Sequence, residues 1–199
     1  MEGAFNSIRV ILEDRLDEES LSTLMGLGND ACIVVAGKHD HIDRFLCAMG
    51  IPFTEISSAE VAVFDFKPSQ TVYVNCQLTF PALAAERLRR FVEDGGQLIT
   101  TDWALTSVIQ VAFPGFICHN GVTSGSETVP VHVRAKDDPI VQGFLSQAPG
   151  HLPSWSLDAS SYPITVLSDQ VQKVLVSHKL KASYGEDAVM VSFNYGFGR

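Results

Sequence analysis

The segment Thr71–Trp103, TVYVNCQLTFPALAAERLRRFVEDGGQLITTDW, contains two strand patterns with a helix pattern between them. Its first part, TVYVNC, is rich in β-branched and aromatic residues and is typical of a buried strand. Pro81 suits a first helical turn, and Gly95-Gly96 stops the helix before QLITTDW, which we interpret as the second strand. Strand, helix and strand joined by short links predict a right-handed parallel crossover. The apolar residues of the helix are Leu83, Leu88, Phe91 and Val92.

The preceding residues repeat this alternation of strand and helix. ACIVVAG (31–37) predicts a buried strand, HIDRFLCAMG (41–50) a helix that ends at Gly50, and IPFTEIS (51–57) another strand. Further upstream, SIRVIL (7–12) is expected to be a strand and EESLSTLMGLG (18–28) a helix. ALTSVIQVAF (104–113) predicts a short helix after the central unit.

Beyond residue 115 the pattern becomes β-rich. GFICHNG, TVPVHVRA, KVLVSH and AVMVSFNYGFGR look like strands, with little helix potential between them. The Cys118-His119 pair is expected to be a strand terminus followed by a turn, and residues 148–163 an ordered surface excursion. The sequence thus predicts an α/β class with a mostly parallel sheet and a β-rich C-terminal portion. We expect one domain over 1–199, with 1–30 as an N-terminal extension.

Charge and cysteine usage limit the classes of partner. A net charge of -9 argues against binding nucleic acid, which requires Lys and Arg to neutralise phosphates. No apolar run approaches the roughly 20 residues of a membrane span, so we expect no membrane insertion. The acidic N-terminus lacks the basic and apolar regions of an export signal. Four widely spaced cysteines are expected to be reduced thiols in a cytoplasmic protein.

The central segment resembles the corresponding part of class I glutamine amidotransferase-like domains, especially the ThuA-like (trehalose-utilisation-type) branch. In that branch a strand ends near a small polar residue and a helix leads to V-x-x-GG-x-L. DDPIVQGF (137–144) resembles the family turn hPi-x-x-Gf, and NYGFGR (194–199) resembles its YG-x-GR hairpin. The resemblance covers residues 31–199 and implies a flavodoxin-like, doubly wound sheet. It also implies a last strand beyond Arg199, so we expect the chain to be truncated there.

The same resemblance indicates where a nucleophile would lie. Active members carry a cysteine at a tight strand-to-helix elbow, where backbone N–H groups face the developing oxyanion. The elbow is expected after QLITT, where the sequence has Asp102-Trp103-Ala104 and neither cysteine nor serine. We therefore expect a non-catalytic ligand-binding or protein-interaction domain, a pseudoenzyme with a protein partner or self-association. Asp102 and Trp103 would form the floor of its pocket; alternatively, Asp102 caps the next helix and Trp103 packs in the core.

Three residues at the end of the preceding strand are further candidates. Cys76 lies at the carboxyl side of the predicted sheet, where ligands bind in open α/β sheets. It is either a thiol nucleophile, which would make the protein a hydrolase, or a small buried hydrophobe. Asn75 and Gln77 on either side of it are candidates for hydrogen bonds to a ligand.

A second route to hydrolysis lies in GKHDHIDR (37–44). His39, His41 and Asp43 have the H-x-H-x-D spacing with which metallo-β-lactamase-type hydrolases bind zinc, although Arg44 stands where that family has a further histidine. Zinc is therefore the alternative to having no cofactor, and His39 is also a candidate ligand contact. In the structural alternative, Asp40 is a helix N-cap and Asp43 a favourable first-turn acid. The remaining histidines, His119, His132, His151 and His178, show no ligand spacing.

Overall fold

The computed structural model describes residues 17–141 and 153–199, which have a mixed α/β architecture. A four-stranded parallel sheet has the order β2-β1-β3-β4. Its strands are β1 (Cys32–Val35), β2 (Thr54–Ile56), β3 (Thr71–Val74) and β4 (Gln97–Thr100). Around it lie helices α1 (Glu18–Met25), α2 (Ile42–Met49) and α3 (Ala82–Glu93). A π-helical segment, Leu105–Ile109, continues into the short helix α4 (Gln110–Ala112).

The parallel sheet is buried on both faces of its central strand. All four residues of β1 are buried. Because side chains alternate along a strand, Ile33 and Val35 enter one core cluster, which includes Leu88 of α3, while Cys32 and Val34 face the other side. This two-sided burial is the reason that β1 has a continuous apolar sequence instead of an alternating one.

The glycines that were predicted to end the two crossover helices do so for different reasons. Gly50 follows α2 with φ 71°, the left-handed conformation that terminates many helices. Gly96 precedes β4, and a Cβ added there would lie 2.2 Å from ring atoms of Phe91. The second position therefore needs glycine for close packing, since Phe91 fills the space against the sheet.

The C-terminal half forms two antiparallel sheets. The larger has the order β5-β9-β11-β10-β7, and the smaller pairs β6 with β8. The strands are β5 (Ile117–His119), β6 (Glu127–Pro130), β7 (His132–Val133), β8 (Ser154–Leu157), β9 (Ile164–Val166), β10 (Gln172–Val176) and β11 (Ala188–Ser192). Cys118 and His119 close β5, as predicted, and Gly121 makes the turn with φ 90°.

Two expectations for this half were wrong. Strand β8 lies inside the part expected to be a surface excursion and pairs with β6. Helix α5 (His178–Tyr184) occupies a region expected to lack helices. Its signals are local: the Ser177 hydroxyl accepts a hydrogen bond from the Leu180 N–H at 3.3 Å, and Gly185 ends the helix with φ 86°.

Two sequence predictions fall partly or wholly outside the described residues. The strand predicted at SIRVIL lies outside them, whereas the helix predicted after it is confirmed as α1. Of the DDPIVQGF turn, the described part is a 3₁₀ turn at Pro139–Val141. In the described ranges, every helix is too short or too polar to cross a membrane.

The C-terminal hairpin returns the chain to the parallel sheet. Tyr195 and Gly198 form an antiparallel bridge. The Arg199 N–H then donates to the Gly96 carbonyl at 3.2 Å, and the Leu98 N–H donates to the Arg199 carbonyl at 2.9 Å. This is the pattern of a parallel ladder, so Arg199 lies beside the start of β4.

Candidate functional site

Three loops meet at the carboxyl end of the parallel sheet. They follow β1, β3 and β4 and contain Gly37–Asp40, Asn75–Gln77 and Thr101–Trp103. The first two are in close contact, since a Cβ added to Gly37 would lie 2.6 Å from the Cβ of Asn75. Asp40 links all three, because its carboxylate accepts hydrogen bonds from the Cys76 N–H at 3.2 Å and from the Thr101 hydroxyl.

This placement of Asp40 corrects its predicted role as a helix cap. The N-cap of α2 is His41, which makes no side-chain capping bond. The Asp40 carboxylate is instead hydrogen-bonded to the loops that follow β3 and β4. Two donors from neighbouring strands compete with the helix N–H groups for this carboxylate, and tertiary contacts therefore override the local capping preference.

Asp102 forms a tight turn between β4 and the following helical segment. Its φ is 41°, and in the described part of the chain only Ser160 shares a positive φ among residues other than glycine. The Leu105 N–H donates to the Asp102 carbonyl at 2.9 Å, so the helical segment begins directly after the turn. The turn predicted to replace the nucleophile elbow is thus a sharp strand-to-helix turn with an unusual backbone.

The Asp102 carboxylate binds a distant loop and does not cap the next helix. One oxygen accepts a hydrogen bond from the Ser161 hydroxyl at 2.9 Å, and the other accepts from the Tyr162 N–H at 2.8 Å. The predicted cap is therefore wrong. Burial raises the pKa of Asp102, the two hydrogen bonds partly oppose that change, and the nearby carboxylates of Asp40 and Asp158 add to it.

Trp103 belongs to a row of four rings at this edge. Its indole N–H donates to the Ser160 carbonyl at 2.7 Å, and its ring centroid lies 5.0 Å from that of His39 and 6.1 Å from that of Tyr162. Tyr162 in turn stacks on His119 at 4.0 Å. The row connects loops of the parallel sheet to strands of the antiparallel half.

Cys76 lies beneath Trp103 and is not poised as a nucleophile. The residue is 3% exposed. Burial raises the pKa of its thiol to about 11, and the neighbouring backbone N–H of Trp103 offsets only part of that shift. At neutral pH the thiol is therefore protonated, whereas the thiolate is the nucleophilic form. The low exposure of Cys76 and the raised pKa of its thiol are typical of a cysteine that packs as a small buried apolar residue.

Asn75 and Gln77 join loops to one another. The Asn75 side-chain oxygen accepts from the Ile42 N–H at 3.4 Å, at the start of α2. The Gln77 side-chain amide donates to the Ala36 backbone carbonyl at 3.3 Å. The Gln77 backbone carbonyl accepts from the Ser107 hydroxyl at 2.7 Å. Both lie at the predicted edge of the sheet; their contact with a ligand stays a prediction.

The predicted metal residues follow β1 but do not point to a common centre. His41 Nδ1 lies 3.6 Å from a carboxylate oxygen of Asp43, while His39 packs against Trp103. No group of three or more His, Cys, Asp or Glu residues within 17–141 and 153–199 has the arrangement to hold a metal ion. Zinc binding by His39, His41 and Asp43 stays a prediction.

Other contributors to the site gave no sequence signal. The turn is contacted by Ser160, Ser161 and Tyr162, which lie far from it in sequence. The ring of Tyr162 in turn stacks on His119 of β5. The serine-rich sequence around them is typical of any surface loop. Only their tertiary contacts with Asp102 and Trp103 distinguish them.

Comparisons with known proteins leave the family open. No family model matches the chain, and no curated protein matches it. Among solved structures, the chain is similar to a β-galactosidase from Bifidobacterium adolescentis, with 12% identity over 86% of this chain and 88% of that one, at a TM-score of 0.37. A similarity at that level carries no argument about function.

Proposed function

We propose that the chain is a non-catalytic ligand-binding or protein-interaction domain of the class I glutamine amidotransferase-like type, close to the ThuA-like branch. The proposal includes a flavodoxin-like, doubly wound sheet. The order β2-β1-β3-β4 supports it, because it matches the first four strands of the flavodoxin-like order. The four free cysteines fit a reducing, cytoplasmic location.

The observation that carries the proposal is the state of Asp102. It occupies a sharp turn after β4 with φ 41°, where the resemblance expects a nucleophile, but both of its carboxylate oxygens are hydrogen-bonded to Ser161 and Tyr162. A carboxylate held in this way connects two parts of the fold and is not free to attack a substrate. Burial of Cys76 and the raised pKa of its thiol agree with a site without a nucleophile.

The same contacts favour a broad binding surface. Hydrogen bonds to neighbouring loops already occupy side-chain groups of Asp40, Asn75 and Gln77. His39 is exposed and Trp103 half-buried, which leaves ring surface at the edge of the site. Aromatic residues are enriched at the centres of protein interfaces. A protein partner or a second copy of this chain therefore fits the surface better than a small reacting substrate.

Alkylation rates test the non-catalytic part of the proposal. With iodoacetamide near neutral pH, we expect the exposed Cys47 to react fastest and Cys76 slowest together with the buried Cys32, as followed by peptide mass spectrometry. If Cys76 were alkylated much faster than Cys47, the thiol would be activated and the non-catalytic assignment would be wrong.

Self-association tests the interaction part. Analytical ultracentrifugation of the wild type is expected to show a concentration-dependent dimer, weakened in His39→Ala, which removes an exposed ring but leaves the Asp102 contacts in place. Leu167→Ala, an exposed apolar residue on the antiparallel half, is the matched control. A monomer at all concentrations would exclude self-association. A binding screen that follows the Trp103 indole N–H resonance then tests for a ligand or another partner, with Trp155 as internal reference.

The rival proposal is a hydrolase, with zinc at His39, His41 and Asp43 or with Cys76 as the thiol. The metal route rests on the H-x-H-x-D spacing, because the three side chains do not share a common centre: His41 Nδ1 lies 3.6 Å from an Asp43 carboxylate oxygen, while the His39 ring packs against Trp103. It predicts stoichiometric zinc by elemental analysis after purification in zinc-containing medium. The double variant His39→Ala, His41→Ala should lose that zinc, and equal zinc in variant and wild type would contradict the route.

A further inference from the structure

The loop Asp158–Tyr162, here named the strap, lies across the turn after β4. Three hydrogen bonds attach it there. The Trp103 indole N–H donates to the Ser160 carbonyl at 2.7 Å, the Ser161 hydroxyl donates to Asp102 at 2.9 Å, and the Tyr162 N–H donates to Asp102 at 2.8 Å. The attachment to the parallel half therefore depends on two adjacent side chains, Asp102 and Trp103.

On its other side the strap is fixed to the loop that contains Ser124. The Ser160 N–H donates to the Ser124 carbonyl at 2.8 Å, and the Ser124 N–H donates to the Ser161 carbonyl at 2.9 Å. The Ala159 N–H also donates to the Ser126 hydroxyl at 3.1 Å. These bonds are mostly between backbone groups of the antiparallel half. If the strap moves, the side-chain attachment at Asp102 is the one that breaks.

Backbone strain is concentrated at that attachment. Asp102 with φ 41° and Ser160 with φ 73° are the non-glycine residues in the left-handed region within the described ranges, and they lie on opposite sides of the same contact. Strained residues persist only where the surrounding contacts hold them. Release of the strap would let the turn at Asp102 relax, which offsets part of the loss of the three hydrogen bonds, while Ser160 stays bonded to Ser124.

Beneath the turn lies the floor of the carboxyl-end site. The Cys76 thiol is next to the Trp103 backbone N–H, and the Cys76 N–H donates to Asp40. Cys76 is 3% exposed, and the Trp103 backbone lies against its thiol, so the position of Trp103 affects the access of solvent to this floor. The strap is connected to this floor through Trp103, because the Trp103 indole N–H donates to the Ser160 carbonyl while the Trp103 backbone lies next to Cys76.

We propose that the strap is a gate over the carboxyl-end site, latched by Asp102 and Trp103 and opened before the site is occupied. The inference rests on the proposed function only in taking the carboxyl end of the sheet as the binding site. A closed gate explains why both carboxylate oxygens of Asp102 accept hydrogen bonds from within the protein. It also gives a role to a residue that occupies the place of a nucleophile without acting as one.

The test compares Asp102→Gly with Asp102→Asn. Glycine accepts φ 41° and removes both acceptors, whereas asparagine tolerates this conformation and keeps an oxygen for the Tyr162 N–H. In Asp102→Gly we expect exchange of the Trp103 indole proton and alkylation of Cys76 each to rise about tenfold, the scale of two lost hydrogen bonds offset in part by the relief of backbone strain at φ 41°. The indole's own acceptor, the Ser160 carbonyl, is untouched by this change. Asp102→Asn should stay within about twofold of the wild type.

A second variant and internal controls keep the test decisive. Trp103→Phe removes the bond to Ser160 but keeps an aromatic ring, and it should raise Cys76 alkylation in the same direction. Cys32 in β1 and the Ser177 N–H, which donates to the Asp187 carbonyl at 2.8 Å, report opening of the whole fold. Unchanged Cys76 alkylation in both variants would overturn the gate. So would an equal rise at Cys32 or Ser177.

The outcome is separable from the proposed function. The gate is judged by the ratio of variant to wild-type rates at Cys76, whereas catalysis is judged by the rate of Cys76 relative to Cys47 in the wild type. A protein that proves to be an active thiol enzyme could still have the gate. If Cys76 were alkylated slowly in the wild type and no faster in either variant, the protein would still be a binding domain but would have no gate.

Discussion

Strand β4 is held at both of its ends, but by contacts of different kinds. At the amino end, the backbone of Arg199 pairs with Gly96 and Leu98, and its guanidinium reaches the carboxylate of Asp138, whose side chain is 1% exposed. The hairpin packs so closely there that a Cβ added to Gly198 would meet backbone atoms at 2.2 Å. This end combines close packing with a largely buried ion pair.

At the carboxyl end the contact uses uncharged donors and a strained backbone. Asp102 accepts from a hydroxyl and an N–H of the strap, and both Asp102 and Ser160 have positive φ. In open α/β sheets, ligands bind at the carboxyl ends of the strands. The difference indicates that the fold is fixed where no ligand is expected and is held by weaker, releasable contacts where one is.

The largest effect is expected from Gly198→Ala at the amino end. The added methyl group would lie 2.2 Å from the Val92 carbonyl oxygen and 2.3 Å from the Gly96 carbonyl oxygen, and backbone atoms cannot move aside cheaply. We expect the free energy of unfolding, measured with urea, to fall by about 3 kcal/mol.

Gly121→Ala is the control for this prediction. Gly121 has φ 90° with open space around it, so the substitution carries only the conformational cost of about 1–2 kcal/mol. If Gly198→Ala were no more destabilising than Gly121→Ala, the close packing at the amino end would not hold β4 in place.

The next effect is expected from Asp138→Ala. Among the described residues, the substitution leaves the Arg199 guanidinium with the Ser192 hydroxyl, at 2.7 Å, as its side-chain partner. We expect a loss of about 2 kcal/mol, below the cost of breaking a fully buried pair because the Arg199 side chain is 27% exposed and can turn toward solvent. Asp30→Ala breaks the exposed pair with Lys67 and should cost clearly less, because solvent screens that pair. Equal losses in urea unfolding would show that the Asp138 pair behaves as a surface pair.

The parallel half was predictable because its signals are local. Between residues 31 and 100, each strand, each helix and each glycine that ends a helix is marked by residues close together in sequence. The structure has these elements in the predicted order, β1, α2, β2, β3, α3 and β4. The antiparallel half joins strands that are distant in sequence, such as β5 with β9 and β7 with β10. Strand β8 (SWSL) alternates serine with apolar residues and pairs with the distant β6, so no local signal marks it.

The site divides in the same way. The turn at Asp102-Trp103 was located from the family resemblance, which expects an elbow directly after the strand QLITT. Its partners in the strap lie 57–60 residues further along the chain, and no spacing rule connects them. Asp40 shows the converse error, since its position before α2 favours a cap while its carboxylate binds Cys76 and Thr101. Local preference is a weak guide where a side chain has tertiary donors within reach.

At the carboxyl end, Asp102→Ala should be more destabilising than Asp102→Gly. Both lose the hydrogen bonds to Ser161 and Tyr162, but alanine must also adopt φ 41°. We expect losses of about 2 and about 1 kcal/mol in urea unfolding, each smaller than or similar to that of Asp138→Ala. The reverse order of the two Asp102 variants would mean that the backbone at the turn is not strained.

The smallest effect is a difference in pH dependence. Burial raises the pKa of Asp102 above its ordinary value of 3.8, so the folded protein holds this proton more tightly than the unfolded chain. Relative to Asp102→Asn, the wild type should therefore become more stable as the pH falls from about 7 to about 4, because this contribution is complete below the unfolded pKa and disappears above the folded one.

Asp187 supplies the control of opposite sign. Its ion pair with Lys173 lowers the pKa of Asp187, so its contribution is present above 3.8 and is lost as the pH falls through the lower, folded pKa. Urea unfolding of wild type, Asp102→Asn and Asp187→Asn from about pH 7 to below the ordinary aspartate pKa of 3.8 measures both trends. If the wild type lost stability relative to Asp102→Asn on acidification, the two hydrogen bonds from the strap would outweigh burial at Asp102. The Asp102 carboxylate would then be an anion that the strap stabilises, instead of a buried group whose charged form costs free energy.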